Sequence, residues 1–350
     1  MRICLLTNQD LLADPFPSDD WPCDPRPFYP EAHWRVEYLK KSTSVEQVAR
    51  QIRQGFDLFF NLCDGAADQS IAGIEVVKTL EEHGVAFTGA TSEFYEPSRE
   101  AMKLACRAAG IDTPEYVLAR CEADVERAAD VLRFPLFVKH YSSYSSVSLS
   151  RRSRVCSPAG LRQQARKIVR RHGAALIEEF IEGTECTVLV AENPDDPARP
   201  KTYTPIQYRF PEGETFKHSD MKWVNYGKMS AFPVEDPILD GRLRDISARF
   251  FVALKGASFG RCDLRVDRSG VPFMLEINPN CGVYYLPKDA GSADLCLAHD
   301  PDGHVGFTRQ LIRAALHRHR QRADQHVRPT LIAPRHSQVE APISLLKGPS

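Results

Sequence analysis

Between residues 259 and 280 the chain alternates with a period of two on both sides of a short turn, and this hairpin constrains the fold more than any other segment. The turn is Asp267-Arg-Ser-Gly270, a hairpin signal between two apolar-rich runs, 259–266 and 272–277. Side chains alternate across a strand, so Arg261 and Asp263 share one face, and so do Glu276 and Asn278. Two adjacent strands therefore present Arg261, Asp263, Glu276 and Asn278 on one surface. Leu264, Val266, Leu275 and Ile277 are expected on the other, directed into a core. Two carboxylates and an amide oxygen are hard ligands suited to Mg²⁺ on nucleotide phosphates. An arginine beside them suits a phosphoryl group in transfer. A hairpin that merely faces solvent would carry mixed lysine and glutamate, not one arginine with three oxygen ligands.

The rest of the chain reads as α/β. Its 350 residues, 43% of them hydrophobic, allow two or three packed units. Residues 2–7, 33–39, 57–62 and 85–88 read as strands. Helices are expected over 44–55, capped by Ser44, and over 71–83. That order implies a small parallel unit over 1–95. From Ser98 a helix runs to Gly110, and strands are expected at 136–140, 175–181, 186–192 and 202–210. Further helices are expected over 161–172, 236–254 and 305–320. The expected domains are thus 1–95 and 96–320, the latter divided into 113–183 and 184–320. A Pro-rich stretch, 321–350, reads as a disordered tail, and the Pro- and Asp-rich loop over 10–30 is long for a compact domain.

Composition excludes several classes. Lysine plus arginine number 45 against 46 aspartate plus glutamate, which argues against a nucleic-acid binder. No apolar stretch is long enough for a bilayer, so no membrane partner is expected. The apolar run at the start is too short for a signal peptide. The ten cysteines form no C-x-x-C pair, and reduced thiols in a cytoplasmic protein are expected. No H-E-x-x-H and no G-x-x-x-x-G-K-[ST] occurs. The basic runs 151–154 and 166–171 read as solvated faces.

Two further segments carry polar chemistry. Lys139 ends a strand in Phe137-Val-Lys139-His140, where it can reach a phosphate. The loop that follows, Tyr141-Ser-Ser-Tyr-Ser-Ser-Val-Ser-Leu-Ser150, offers N–H groups and hydroxyls to an anion. On composition alone a flexible serine-rich turn is the better reading of that loop. In Leu176-Ile-Glu178-Glu179-Phe180-Ile181-Glu182-Gly183-Thr184-Glu185, acceptors at a strand–turn–strand can hold an adenine amino group and ribose hydroxyls, or are surface glutamates near a turn.

The order of these motifs resembles the ATP-grasp superfamily, and most of all its D-alanine–D-alanine ligase branch, from about residue 57 to 287. Gly260-Arg-Cys-Asp263 followed by Leu275-Glu-Ile-Asn278 resembles that family's G-R-x-D and L-E-x-N. The resemblance implies an ATP-grasp fold behind an N-terminal α/β domain. It implies Mg²⁺, two ions with Mn²⁺ as an alternative, on Asp263, Glu276 and Asn278, with Arg261 on the transferred phosphoryl group. It places Lys139 on the nucleotide phosphates and Ser145 and Ser146 in the loop over them. Glu178, Glu179, Phe180 and Ile181 match the hinge that holds adenine, and Glu185 matches the ribose-binding acid. Ser98-Arg99-x-x-x-Lys103 is similar to a D-K-x-x-x-K entry to the nucleotide site, with Arg99 in place of the first lysine. Lys222 resembles a lysine near the γ-phosphate.

The implied activity is an ATP-dependent carboxylate–amine ligase forming an amide or peptide bond through an acyl phosphate. Its implied partners are a small carboxylic acid and an amine, in a homodimer. The nucleotide half matches and the substrate half departs. Where D-alanine ligases carry Gly-Gly-x-Ser-x-Glu, this chain has Thr7-Asn8-Gln9-Asp10, and their His-Gly region is here Asn61-Leu62-Cys63-Asp64-Gly65. After the second hairpin strand it reads Asn280-Cys-Gly-Val-Tyr-Tyr-Leu-Pro-Lys288. A substrate other than D-alanine is expected. Rival readings are a catalytically silent ATP-binding regulator and a carboxylate-activating enzyme with a non-amine acceptor.

Overall fold

A computed structural model describes residues 1–8, 23–67, 69–142, 149–217 and 229–327. Strand β1 (Arg2–Asn8) lies between β2 (His33–Leu39) and β3 (Leu58–Asn61), parallel to both. Helices α1 (Ser44–Ile52) and α2 (Ile74–Glu82) pack against each other beside this sheet. Three local expectations change here. Ser44 opens α1 rather than capping it, and its hydroxyl donates to Lys41 O and Glu75 Oε1 between the helices. Helix α2 starts at Ile74, because the preceding backbone pairs with Gly65 instead. The segment 85–88 adds only a bridge at Phe87 to Phe59 before Gly89 turns away at φ +96°.

Helix α3 (Arg99–Ala108) follows, and the Ser98 hydroxyl accepts from Ala101 N at 3.1 Å. This cap fixes the first turn of the helix that carries Arg99 and Lys103. Ser98→Ala is expected to cost about 1 kcal/mol of unfolding free energy, read as a lower urea midpoint at constant slope. Strands β4 (Tyr116–Ala119), β5 (Leu136–His140), β6 (Arg154–Val155) and β7 (Ala175–Glu179) form an antiparallel sheet in the order β4-β7-β5-β6. Helices α4 (Glu122–Val131) and α5 (Pro158–His172) cover one face, where Val117, Leu136, Val138, Leu161, Ile168 and Ile177 make a core. Alternation turns Phe137, Lys139 and Glu178 to the opposite face.

The third sheet holds the hairpin. Its strands are β8 (Gly183–Ala191), β9 (Lys201–Thr202), β10 (Ile206–Arg209), β11 (Ser230–Pro233), β12 (Phe259–Asp267) and β13 (Pro272–Pro279). The order is β11-β10-β8-β12-β13, with β9 on β8. Helix α6 (Pro237–Ala253) lies against it, with Leu243 and Phe250 in one core with Val188, Val190, Leu264 and Ile277. Each such fully buried side chain contributes roughly 1.5–3 kcal/mol. Helix α7 (Ser292–Ala298) packs on β8 and β10, and α8 (Gly303–Val327) runs past Arg320, so residues 321–327 are helical rather than tail. Residues 328–350 lie outside the described residues. Among the described residues no helix is long and apolar enough to cross a membrane, and all ten cysteines are free.

Candidate active site

The register of the hairpin creates the centre of the site. Arg261 stands opposite Asn278 and Asp263 opposite Glu276, so all four reach one face, as their parity predicts. The pairing then slips: Leu264 faces Met274, and Leu275 is left as the extra residue of a β-bulge. Leu275 consequently lines the pocket instead of entering the core, while Leu264, Val266, Met274 and Ile277 stay buried. The bulge was not readable from the strand's own sequence, because it depends on what β12 offers opposite.

The Arg261 guanidinium donates to both oxygens of Asp263, at 3.0 and 2.8 Å. Asp263 also accepts from Thr187 Oγ1 at 2.8 Å and from Asn278 Nδ2 at 2.9 Å. Burial alone would raise the Asp263 carboxyl, but Arg261 outweighs it and holds that carboxyl below the ordinary range. Glu276 is paired with Arg99 from the first turn of α3. Behind them Glu178 bridges Lys139 at 2.5 Å and Lys103 at 2.6 Å. Each predicted cation described here is thus matched to a carboxylate.

One pocket is lined by Arg99, Lys139, Glu178, Glu179, Phe180, Ile181, Glu185, Arg261, Asp263, Glu276 and Asn278, which gathers most of the predicted residues. Lys103 is 1% exposed and stands behind Glu178 rather than on the wall. The Glu179 carboxylate turns outward to Arg133, with Arg133 Nη2 donating at 2.8 Å. Ser145, Ser146 and Lys222 lie outside the described residues. Arg209 and Lys288, two cations that could hold an acceptor's carboxylate, are exposed and absent from this pocket's wall.

Several lining residues escaped the sequence reading. Phe137 and Phe216 pack against the predicted Phe180 with ring centroids 5.0–6.0 Å apart, and the three form an apolar wall with Leu275. Such a wall suits a flat base. Arg265 continues the parity of Arg261 and Asp263, a signal that could have found it. It is 4% exposed, donates to Ile181 O at 2.6 Å and Gly183 O at 2.9 Å, and pairs with Glu185 at 3.2 Å. Arg265 therefore ties the turn between the two sheets to β12. Lys217 sits 3.7 Å from Glu185 and 3.1 Å from the centroid of the Tyr208 ring. Cys281 is buried and its thiol is pushed up to about 12 by that burial, which suits packing rather than nucleophilic attack.

The donor set fits a magnesium ion. Among the described residues no group of three or more His, Cys, Asp or Glu stands together. Two carboxylates and one amide are instead what Mg²⁺ takes when substrate phosphates complete its octahedron. Asn278 shows its Nδ2 to Asp263, and an amide flip would present the oxygen.

Comparison with known proteins agrees with this arrangement. Residues 105–286 match the family described as D-ala D-ala ligase C-terminus. A protein of Sinorhizobium fredii (strain NBRC 101917 / NGR234) named "Uncharacterized protein y4sG" is 30% identical over 65% of this chain, and the match spans 66% of that protein. The D-alanine–D-alanine ligase of Laribacter hongkongensis is 27% identical over 72% of this chain and 81% of its own length. Among solved structures, the Bacillus anthracis D-alanine–D-alanine ligase complexed with ATP aligns with TM-score 0.63 at 17% identity, covering 92% of this chain and 99% of that one. The Coxiella burnetii ligase aligns with TM-score 0.65 at 14% identity, covering 93% and 97%. The fold is that of the ATP-grasp ligases, with the parallel sheet as an N-terminal domain.

Proposed function

We propose, for a chain that belongs to the D-ala D-ala ligase C-terminus family, that it is an ATP-dependent carboxylate–amine ligase. The observation that carries this is the meeting of Arg261, Asp263, Glu276 and Asn278 with Lys139 and an aromatic wall in one pocket. On this reading the base lies against Phe137, Phe180 and Phe216, near the backbone of residues 179–181. Glu185 takes the ribose, and Lys139, Arg99 and Arg261 face the phosphates. Asp263, Glu276 and Asn278 would hold Mg²⁺, two ions with Mn²⁺ as an alternative, which neutralises phosphate charge when bound. Lys222 and the loop containing Ser145 and Ser146 belong to the same proposal. So do the division of the ligase half at about residue 183, a small acid and a small amine as partners, and a homodimer.

The donor carboxylate attacks the γ-phosphorus of ATP, a new O–P bond forms, and the bond to ADP breaks. The amine then attacks the acyl carbon. A C–N bond forms, phosphate leaves with the C–O electron pair, and the amine gives up its proton. Arg261 and Lys139 favour these steps by holding positive charge where negative charge gathers. An acid–amine pair other than two D-alanines is supported by Asn8, Asn61, Asp64 and Asn280 at the adjoining strand ends. Asn8 Nδ2 donates to Asp64 at 3.4 Å, and Asn280 Nδ2 donates to Cys63 O at 2.9 Å.

The test is ADP release from Mg-ATP with pooled L- and D-amino acids, small acids and dipeptides, beside an Asp263→Asn/Glu276→Gln variant. ADP formed only with a given acid–amine pair, and absent in the variant, is the expected result. Tight ATP binding with no turnover across the pool would favour an ATP-binding regulator instead.

A further inference from the structure

Between β13 and α7 the chain leaves the pocket wall at Asn278 and returns to it at Ser292. The intervening segment contains residues 280–288, where this chain departs from the D-alanine ligases. Two of its residues take the left-handed region, Asn280 at φ +49° and Tyr284 at φ +70°. A bulky residue holds that conformation only where its neighbours impose it. At Tyr284 the neighbour is Asp294, in the first turn of α7 and 2% exposed. Asp294 Oδ1 accepts from Tyr284 N at 2.7 Å, and its Oδ2 accepts from Gly291 N at 3.0 Å. One carboxylate thus closes residues 284–291 into a loop. His304 Nε2, from α8, stands 2.9 Å from the same Oδ1, and the His304 ring stacks on Phe28 with centroids 4.8 Å apart. The Tyr284 carbonyl accepts from Asp24 N at 3.1 Å, and its hydroxyl lies 3.0 Å from Thr308 Oγ1. The Tyr285 ring lies against Gly282 and Gly291, where an added Cβ would stand 2.5 and 3.4 Å from it. At the return point the Tyr208 hydroxyl donates to Ser292 Oγ at 2.7 Å. Asp294 itself is absent from the pocket wall, so whatever it does there it does through this segment.

We propose that Asp294 is a positioning residue: by stapling Tyr284 to Gly291 it shapes the segment beside the pocket that seats the acid and the amine, and so sets their affinity without touching them. The inference rests on the ligase reading above and deepens it. The staple needs two acceptor oxygens, because it holds one backbone N–H with each. An asparagine in its place keeps the shape but offers one oxygen and one NH₂. One of the two backbone N–H groups then faces another donor, and a buried donor without a partner is expensive. That end of the loop opens, and Tyr284 is free to leave the left-handed region. The aromatic wall proposed for the base lies elsewhere. It is built from β5 and from residues beyond β7, whereas α7 packs on β8, β10 and α8. Nucleotide affinity is therefore expected to survive the change.

The test is steady-state ADP release by the full chain with the acid–amine pair that supports turnover in the pooled screen, beside thermal denaturation followed by circular dichroism. Asp294→Asn is expected to raise the KM of the acid or of the amine about tenfold, with kcat and the KM of ATP within about twofold of wild type, the pattern of lost uniform binding. A purely structural role would instead lower the melting temperature and the fraction of active protein, with every KM as in wild type. That outcome overturns the proposal, and so does an equal rise in the KM of ATP. If circular dichroism shows that Asp294→Asn does not fold, Gly291→Pro decides. Gly291 has φ −80°, which suits proline, and the substitution removes the N–H given to Asp294. The same rise in KM is expected, and unchanged KM values overturn the proposal. A wild-type protein that turns over no acid–amine pair overturns the ligase reading itself, and this inference with it.

Discussion

Replacing Arg261 with alanine is expected to lower kcat for ADP release by about 10²–10³-fold, the usual cost of removing one preorganised charge-stabilising group. That factor corresponds to about 2.7–4 kcal/mol of transition-state stabilisation. The guanidinium is held for the task. It grips Asp263 through two bonds, and this pairing outweighs burial and holds the guanidinium pKa above its ordinary value. Little of the loss should come from unfolding, because Asp263 retains donors in Thr187 and Asn278. Thermal denaturation of the variant separates the two effects. Arg261→Lys keeps the charge but loses the planar fork, so an intermediate kcat is expected. Unchanged turnover in Arg261→Ala would remove this side chain from the chemistry.

Gly183→Ala is expected to cost about 2–5 kcal/mol of stability. Gly183 joins β7 to β8 with φ +150°, a region open almost to glycine alone. An added Cβ would stand 2.0 Å from Val266 O and 3.0 Å from Asp267 Cα, both backbone atoms of the paired strand. Strained dihedrals of this kind cost about 1–3 kcal/mol, and forced overlap adds a similar amount. The same glycine presents its carbonyl to Arg265, which also holds Ile181. On the proposed reading, a shift there should loosen the nucleotide hinge as well. Urea unfolding at constant slope measures the first effect and nucleotide titration the second. A loss below about 1 kcal/mol would show that this turn relaxes without help from its neighbours.

The features read from the chain alone are those that neighbouring residues decide. Strand alternation placed Arg261, Asp263, Glu276 and Asn278 on one face, and their register agrees. The helix starts at Ser98 and Asp236 were read as such, and there a hydroxyl and a carboxylate cap the first turn two or three residues on, whereas Ser44, read as a cap, opens its helix instead. Alternation extended one step further would have reached Arg265. The bulge at Leu275 was beyond such reasoning, since a slip in pairing belongs to two strands and not to one.

Charge pairing was less legible. Glu178 and Glu179 are adjacent and identical in type, yet one is buried between Lys103 and Lys139 and the other turns out to Arg133. Likewise Arg99 finds Glu276 across 177 positions of chain. Periodicity is a short-range property of the backbone, so spacing suffices to state it. Which ion meets which depends on two antiparallel sheets and α3 closing over one pocket. Only when water is excluded there do the desolvation cost and the Coulomb attraction become large enough to select partners.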